Sequence, residues 1–106
     1  MKMYIAVLDE FPDYMVPTLV AHAVLGAHLQ FQDDGHYNHW LRMSFKKVVV
    51  RVNQKEFDKI SALDNVYLGH ENTTLDGQKS CAVTYTKLNE ELPNVLKFAK
   101  LWKPKQ

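Results

Sequence analysis

The sequence predicts an α/β fold: a four-stranded mixed sheet with helices on both faces, in the order β-α-α-β-α-β-β-α. Three observations predict it. The short apolar run at residues 3–8 reads as a buried strand and the β-branched run at 46–52 as a second strand, and the segments between the strands repeat their apolar residues at helical spacing. Strands separated by helices imply crossovers and parallel pairing. The last two strand-like runs flank Asp76-Gly77, a hairpin turn signal, which adds an antiparallel pair.

Each element follows from its own residues. Met3 to Leu8 (MYIAVL) is the first strand, apolar throughout and therefore covered on both faces. Asp9 to Asp13 is a loop punctuated by Pro12, with Asp13 as the candidate cap of the next element. Val16, Leu19, Val20, Ala23, Ala27 and Phe31 then recur as one helical stripe, and Pro17 suits a first turn. Ala21, Leu25 and Leu29 lie on other faces, so this helix is expected to be apolar nearly all round and central. Asp33-Asp34-Gly35 breaks it, and residues 36–43 form a short second helix with Trp40 and Leu41 inward. Residues 46–52 (KKVVVRV) are the clearest strand, β-branched and bounded by Asn53. Asn53 caps a third helix with Glu56 in the capping-box position and Phe57, Ile60 and Leu63 as its stripe. Residues 66–69 and 81–86 are the last two strands, and Pro93 opens a final helix bearing Val95, Leu96, Ala99 and Trp102.

The bulk numbers bound the class. The chain has 106 residues, 46% hydrophobic and 24% charged, which suits one ordered domain and argues against disorder. No apolar run reaches the roughly 18 residues that span a bilayer. Asp9 and Glu10 follow closely on Lys2, a poor signal peptide, so the expected compartment is cytoplasmic with no membrane partner. A net charge of +1 excludes a polycation that holds nucleic acid by field alone. The charge is uneven, however: Asp9, Glu10 and Asp13 make the first loop acidic, while Lys97, Lys100, Lys103 and Lys105 make the last segment basic. The single cysteine, Cys81, allows no internal disulfide and reads as a small buried hydrophobe. There are five histidines, but no HExxH and no paired cysteines, so no metal or other cofactor is expected.

Three segments, in their order and spacing, resemble the type II peptidyl-tRNA hydrolases. They are Val20-Ala21-His22-Ala23 within the first helix, Trp40 leading into Lys46-Lys47-Val48-Val49-Val50, and Ser80-Cys81-Ala82-Val83-Thr84 in the last strand. The resemblance implies that family's fold, an esterase activity on peptidyl-tRNA, and a site at His22 with Glu71 and Ser80. It also has departures. Where the family carries a lysine and a glutamine ahead of the histidine, this chain has Met15 and Leu19, which neither donate a proton nor orient water. The family's aspartate falls at about His70, next to Glu71.

The chemistry such residues support is ester hydrolysis. His22 would be the base because imidazole titrates near neutrality. Glu71 would orient it or take the proton itself, Ser80 or Thr84 would position water, and backbone N–H groups near Gly69 would face an oxyanion. A bland reading stands beside each role: His22 as a satisfied residue of an apolar helix, and Glu71 and Ser80 as a solvated turn and a strand edge. A second class is binding without catalysis. Lys46, Lys47 and Arg51 lie on one strand-like run, and Tyr37, Tyr67 and Tyr85 offer stacking surfaces, a combination suited to tRNA ends or nucleotides. Alternating cations can equally be a strand's wet face. Edge strands and apolar helix faces leave a homodimer open.

Overall fold

The computed structural model of the chain describes residues 1–71 and 78–105, without the side chains of residues 70, 71 and 78. The Asp76-Gly77 turn lies outside the described residues. The chain forms β1 (Met3–Leu8), a one-turn 3-10 helix (Asp13–Met15), α1 (Val16–Phe31), α2 (Gly35–Met43) and β2 (Lys47–Val52). Then come α3 (Gln54–Ser61), β3 (Val66–Glu71), β4 (Gln78–Tyr85), α4 (Asn94–Lys97) and β5 (Lys100–Leu101).

The sheet is open, mixed and five-stranded, in the order β3-β4-β1-β2-β5. β1 runs parallel to β2, Met3 opposite Lys47 through Leu8 opposite Val52, and antiparallel to β4. β4 is antiparallel to β3 as well, so β3 points the same way as β1 and β2. β1 is central, and all six of its residues are buried. Strand alternation divides them between two layers. Val7 shares a row with Cys81 and Gly69, against which Ala23 of α1 packs. Leu8 points the other way, into a cleft lined by Phe57 and Ser61 of α3. Helices therefore cover both faces, as the alternation of strands and helices implied.

Four strands were expected, and a last helix bearing Val95, Leu96, Ala99 and Trp102; both expectations are corrected. The helix after Pro93 stops after one turn, and the chain then straightens into β5, which pairs antiparallel with β2 through Val50–Leu101 and Arg51–Lys100. The Trp102 amide adds a bond to the Val49 carbonyl at 2.9 Å. A paired edge outweighs the weak local preference of this short segment for helix.

Local signals account for most of the other ends. Asn53 and Glu56 form the anticipated capping box, at 2.8 and 2.9 Å. Asp34 caps α2 by accepting from the His36 amide at 2.8 Å. Asp13 does not cap α1, whose N-cap is Met15 with no side-chain bond. Nor is α1 central: Val16, Leu19, Ala23, Ala27 and Phe31 face the sheet, while Leu25 and Leu29 are 63% and 62% exposed. Phe31, Tyr37, Trp40 and Tyr85 join in a buried aromatic cluster with ring centroids 5.1–5.7 Å apart. That cluster locks α2 onto the α1 side of the sheet. No described helix is long and apolar enough to cross a membrane.

Candidate functional site

His22 sits on the solvent side of α1, one residue before Ala23. Ala23 touches β3: a Cβ built on Gly69 would lie 3.3 Å from the Ala23 Cβ. The absence of a side chain at Gly69 eases this close approach of α1 to β3. A second glycine does the same one helical turn on, where the Tyr67 ring fills the place a Gly26 side chain would take. The turn of α1 that carries His22 is thus held against the carboxyl end of β3.

That end of β3 is irregular. Gly69 pairs with Cys81, yet the next residue, His70, pairs with Lys79, which leaves Ser80 as the extra residue of a β-bulge. Ser80 is buried, and its Oγ donates to the Gly69 carbonyl at 3.4 Å. Ala23, the chain neighbour of His22, and Ser80 thus both meet Gly69, while His22 itself is exposed and Ser80 is buried. The Glu71 backbone closes β3, and its side chain lies outside the described residues. Thr84, the alternative water-positioning hydroxyl, is buried further along β4 and donates to the Asn65 carbonyl at 2.7 Å. Leu19 is buried in the core, and Met15 packs against it. At the two positions where the resemblance implies polar groups, this chain builds packing. Cys81 is fully buried, and burial pushes its thiol up to about 12.

The candidate cations each have contacts of their own. Lys46 precedes β2 and lends its carbonyl to Trp40 Nε1 at 2.9 Å. Lys47 Nζ donates to the Phe45 carbonyl at 2.9 Å and sits over the Phe45 ring, 3.0 Å from its centre. Arg51 is half-buried, 5.2 Å over the Trp102 ring, and is paired to Asp13 at 3.3 Å. Two of the three candidate stacking tyrosines, Tyr37 and Tyr85, are core residues, and Tyr67 is half-buried over Gly26.

Two polar constellations escaped the sequence reading. The Tyr85 hydroxyl donates to Asp34, which holds that carboxyl below its usual range. Burial first, and the Asp34 carboxylate second, push the Tyr85 hydroxyl above its ordinary value. The other is the tie between the first loop and the last segment: Asp13 accepts from Arg51 and from the Lys105 amide, and Lys105 Nζ donates to the Asp9 carbonyl at 3.0 Å. Its signal was present in the acidic loop and the basic tail, whose opposite charges meet here. Among the described residues, no three His, Cys, Asp or Glu side chains gather in a group that could hold a metal ion. No protein-family model matches the chain, and no curated protein matches it.

Proposed function

We propose that this chain is a divergent peptidyl-tRNA hydrolase-like protein that cleaves the ester between a peptidyl group and tRNA weakly, at a site formed by His22, Glu71 and Ser80. The observation that supports it is the clamp of Ala23 on Gly69, which sets the His22 turn of α1 beside the β3 end where Ser80 lies. In this reading His22 is the base, Glu71 orients it, and Ser80 holds the β3 end in shape through the Gly69 carbonyl. The turnover is weak because Met15 and Leu19 supply no donor. One missing polarising donor commonly lowers the rate by about 100- to 1,000-fold.

The test is deacylation of N-acetylaminoacyl-tRNA with protein in excess. Wild type is expected to exceed the buffer rate and His22→Ala to fall back to it. If both stay at the buffer rate, the catalytic reading is lost.

The core position of Leu19 favours a second reading, in which the same fold binds a tRNA end or nucleotide without turnover. Met15→Lys with Leu19→Gln separates the two. Hydrolysis that appears only in the double variant, with tRNA binding in wild type, favours the binding module.

A further inference from the structure

A separate groove runs between α1 and α2, on the outer side of the aromatic cluster. Its volume is about 440 Å3, a size typical of small-molecule sites. Leu25, Tyr37, Trp40 and Phe45 give it an apolar wall, and His28 and the cationic Lys47 are its nitrogen-bearing side chains. Among the described residues no carboxylate lines it.

Phe45 is the residue the fold does not explain. It follows the last turn of α2, where its amide bonds back to the Trp40 carbonyl at 2.8 Å, and its φ is 61°. That is the left-handed position at a helix end which glycine normally fills, and a bulky side chain is strained there. The side chain gains little burial in return, being 58% exposed. What it does is form a shelf. Its ring stacks on Trp40 with centroids 5.9 Å apart and 24° between planes, and it props the Lys47 ammonium at the groove mouth. Among the described residues Lys47 Nζ donates to the Phe45 carbonyl, and an ammonium has three donors. His28 is fixed through Nδ1 to the Tyr37 hydroxyl at 2.9 Å. Backbone strain kept at an exposed aromatic beside a cation is the pattern of a binding surface.

We propose that this groove binds a small amphipathic organic anion, an aliphatic or aromatic acid whose apolar body lies on Leu25 and the Phe45–Trp40 shelf and whose acid group meets Lys47 and His28. The charge of the lining selects the anion over a neutral or cationic ligand of equal shape. The site does not depend on His22 or on the hydrolase reading.

The probes are 8-anilinonaphthalene-1-sulfonate and its uncharged counterpart N-phenyl-1-naphthylamine, titrated into the full chain and followed by amide chemical shifts and calorimetry. The sulfonate is expected to bind at one site, with shifts confined to α1, α2 and residues 45–47, and about tenfold tighter than the neutral amine, a difference of about 1.4 kcal/mol. Lys47→Met removes that preference and leaves the neutral probe unchanged. Phe45→Gly weakens both probes yet leaves the melting temperature equal or higher, because it releases the left-handed backbone. The proposal is overturned if binding does not saturate, if the shifts map elsewhere, if Lys47→Met keeps the preference, or if Phe45→Gly lowers the melting temperature.

Discussion

The guanidinium of Arg51 holds Asp13 at 3.3 Å and also donates to the Lys103 carbonyl, so one β2 side chain fastens the first loop to the last segment. The second oxygen of Asp13 accepts from the Lys105 amide, and that bond is the main reason its carboxyl stays below the usual range. A depressed folded pKa gives a stabilisation that is present above the ordinary carboxylate value and lost as pH falls through the folded one. Asp13→Asn is therefore expected to speed amide exchange at Trp102 and Lys105 at neutral pH while β1 keeps its protection. Acidification should produce the same loosening in wild type. Unchanged exchange in the variant would show that other contacts hold the segment.

Tyr85→Phe is expected to cost about 1 kcal/mol in denaturant unfolding, the typical net value of a hydrogen bond. Its pH signature is more specific. The Tyr85 pKa is raised from 10.0 in the folded chain, chiefly by burial, so stability is full below that pH and declines as pH rises above it. The depressed Asp34 pKa adds stability above the ordinary carboxylate range that is lost on acidification. Tyr85→Phe should weaken the acid decline and remove this residue's share of the alkaline one. Parallel wild-type and variant profiles at both ends would refute the assignment.

Gly69→Ala is expected to destabilise the chain by about 1–3 kcal/mol, the range for over-packing a close contact. The added methyl meets the Ala23 Cβ at 3.3 Å, a tight contact with a group that has no flexible end to move aside. Pairing it with Ala23→Gly should recover part of the loss. No recovery would mean that the strain lies in the bulge rather than in the α1 contact.

Cys81 is expected to resist thiol reagents such as dithionitrobenzoate in the native state, since its thiol is fully buried and pushed up to about 12. Labelling should proceed at the rate of unfolding and accelerate in denaturant. Rapid labelling of the folded chain would contradict the packing of β4.

Much of the fold was legible where the signal was local. The apolar run of β1, the Asn53–Glu56 box and the helical stripe of α1 each decide their element from adjacent residues. β5 was not legible, because Lys100-Leu101 is a strand only by virtue of the exposed edge of β2 and the ties at Trp102 and Lys103. The exposure of Leu25 and Leu29 was also hidden, since an all-round apolar helix does not say which face the sheet covers. At the site, His22 was found through resemblance, whereas the burial of Ser80 depends on a register shift between two strands that no single segment encodes. Phe45 gave no sequence signal, because its meaning lies in a backbone angle.

The hydrolase account rests on His22 and Glu71 acting as one unit. A double-mutant cycle on single-turnover deacylation of N-acetylaminoacyl-tRNA, with His22→Ala, Glu71→Gln and the pair, measures this directly. Residues that act together are strongly non-additive, so the pair should be no slower than the slower single variant. Two losses that multiply, or a wild-type rate equal to buffer, would contradict the account.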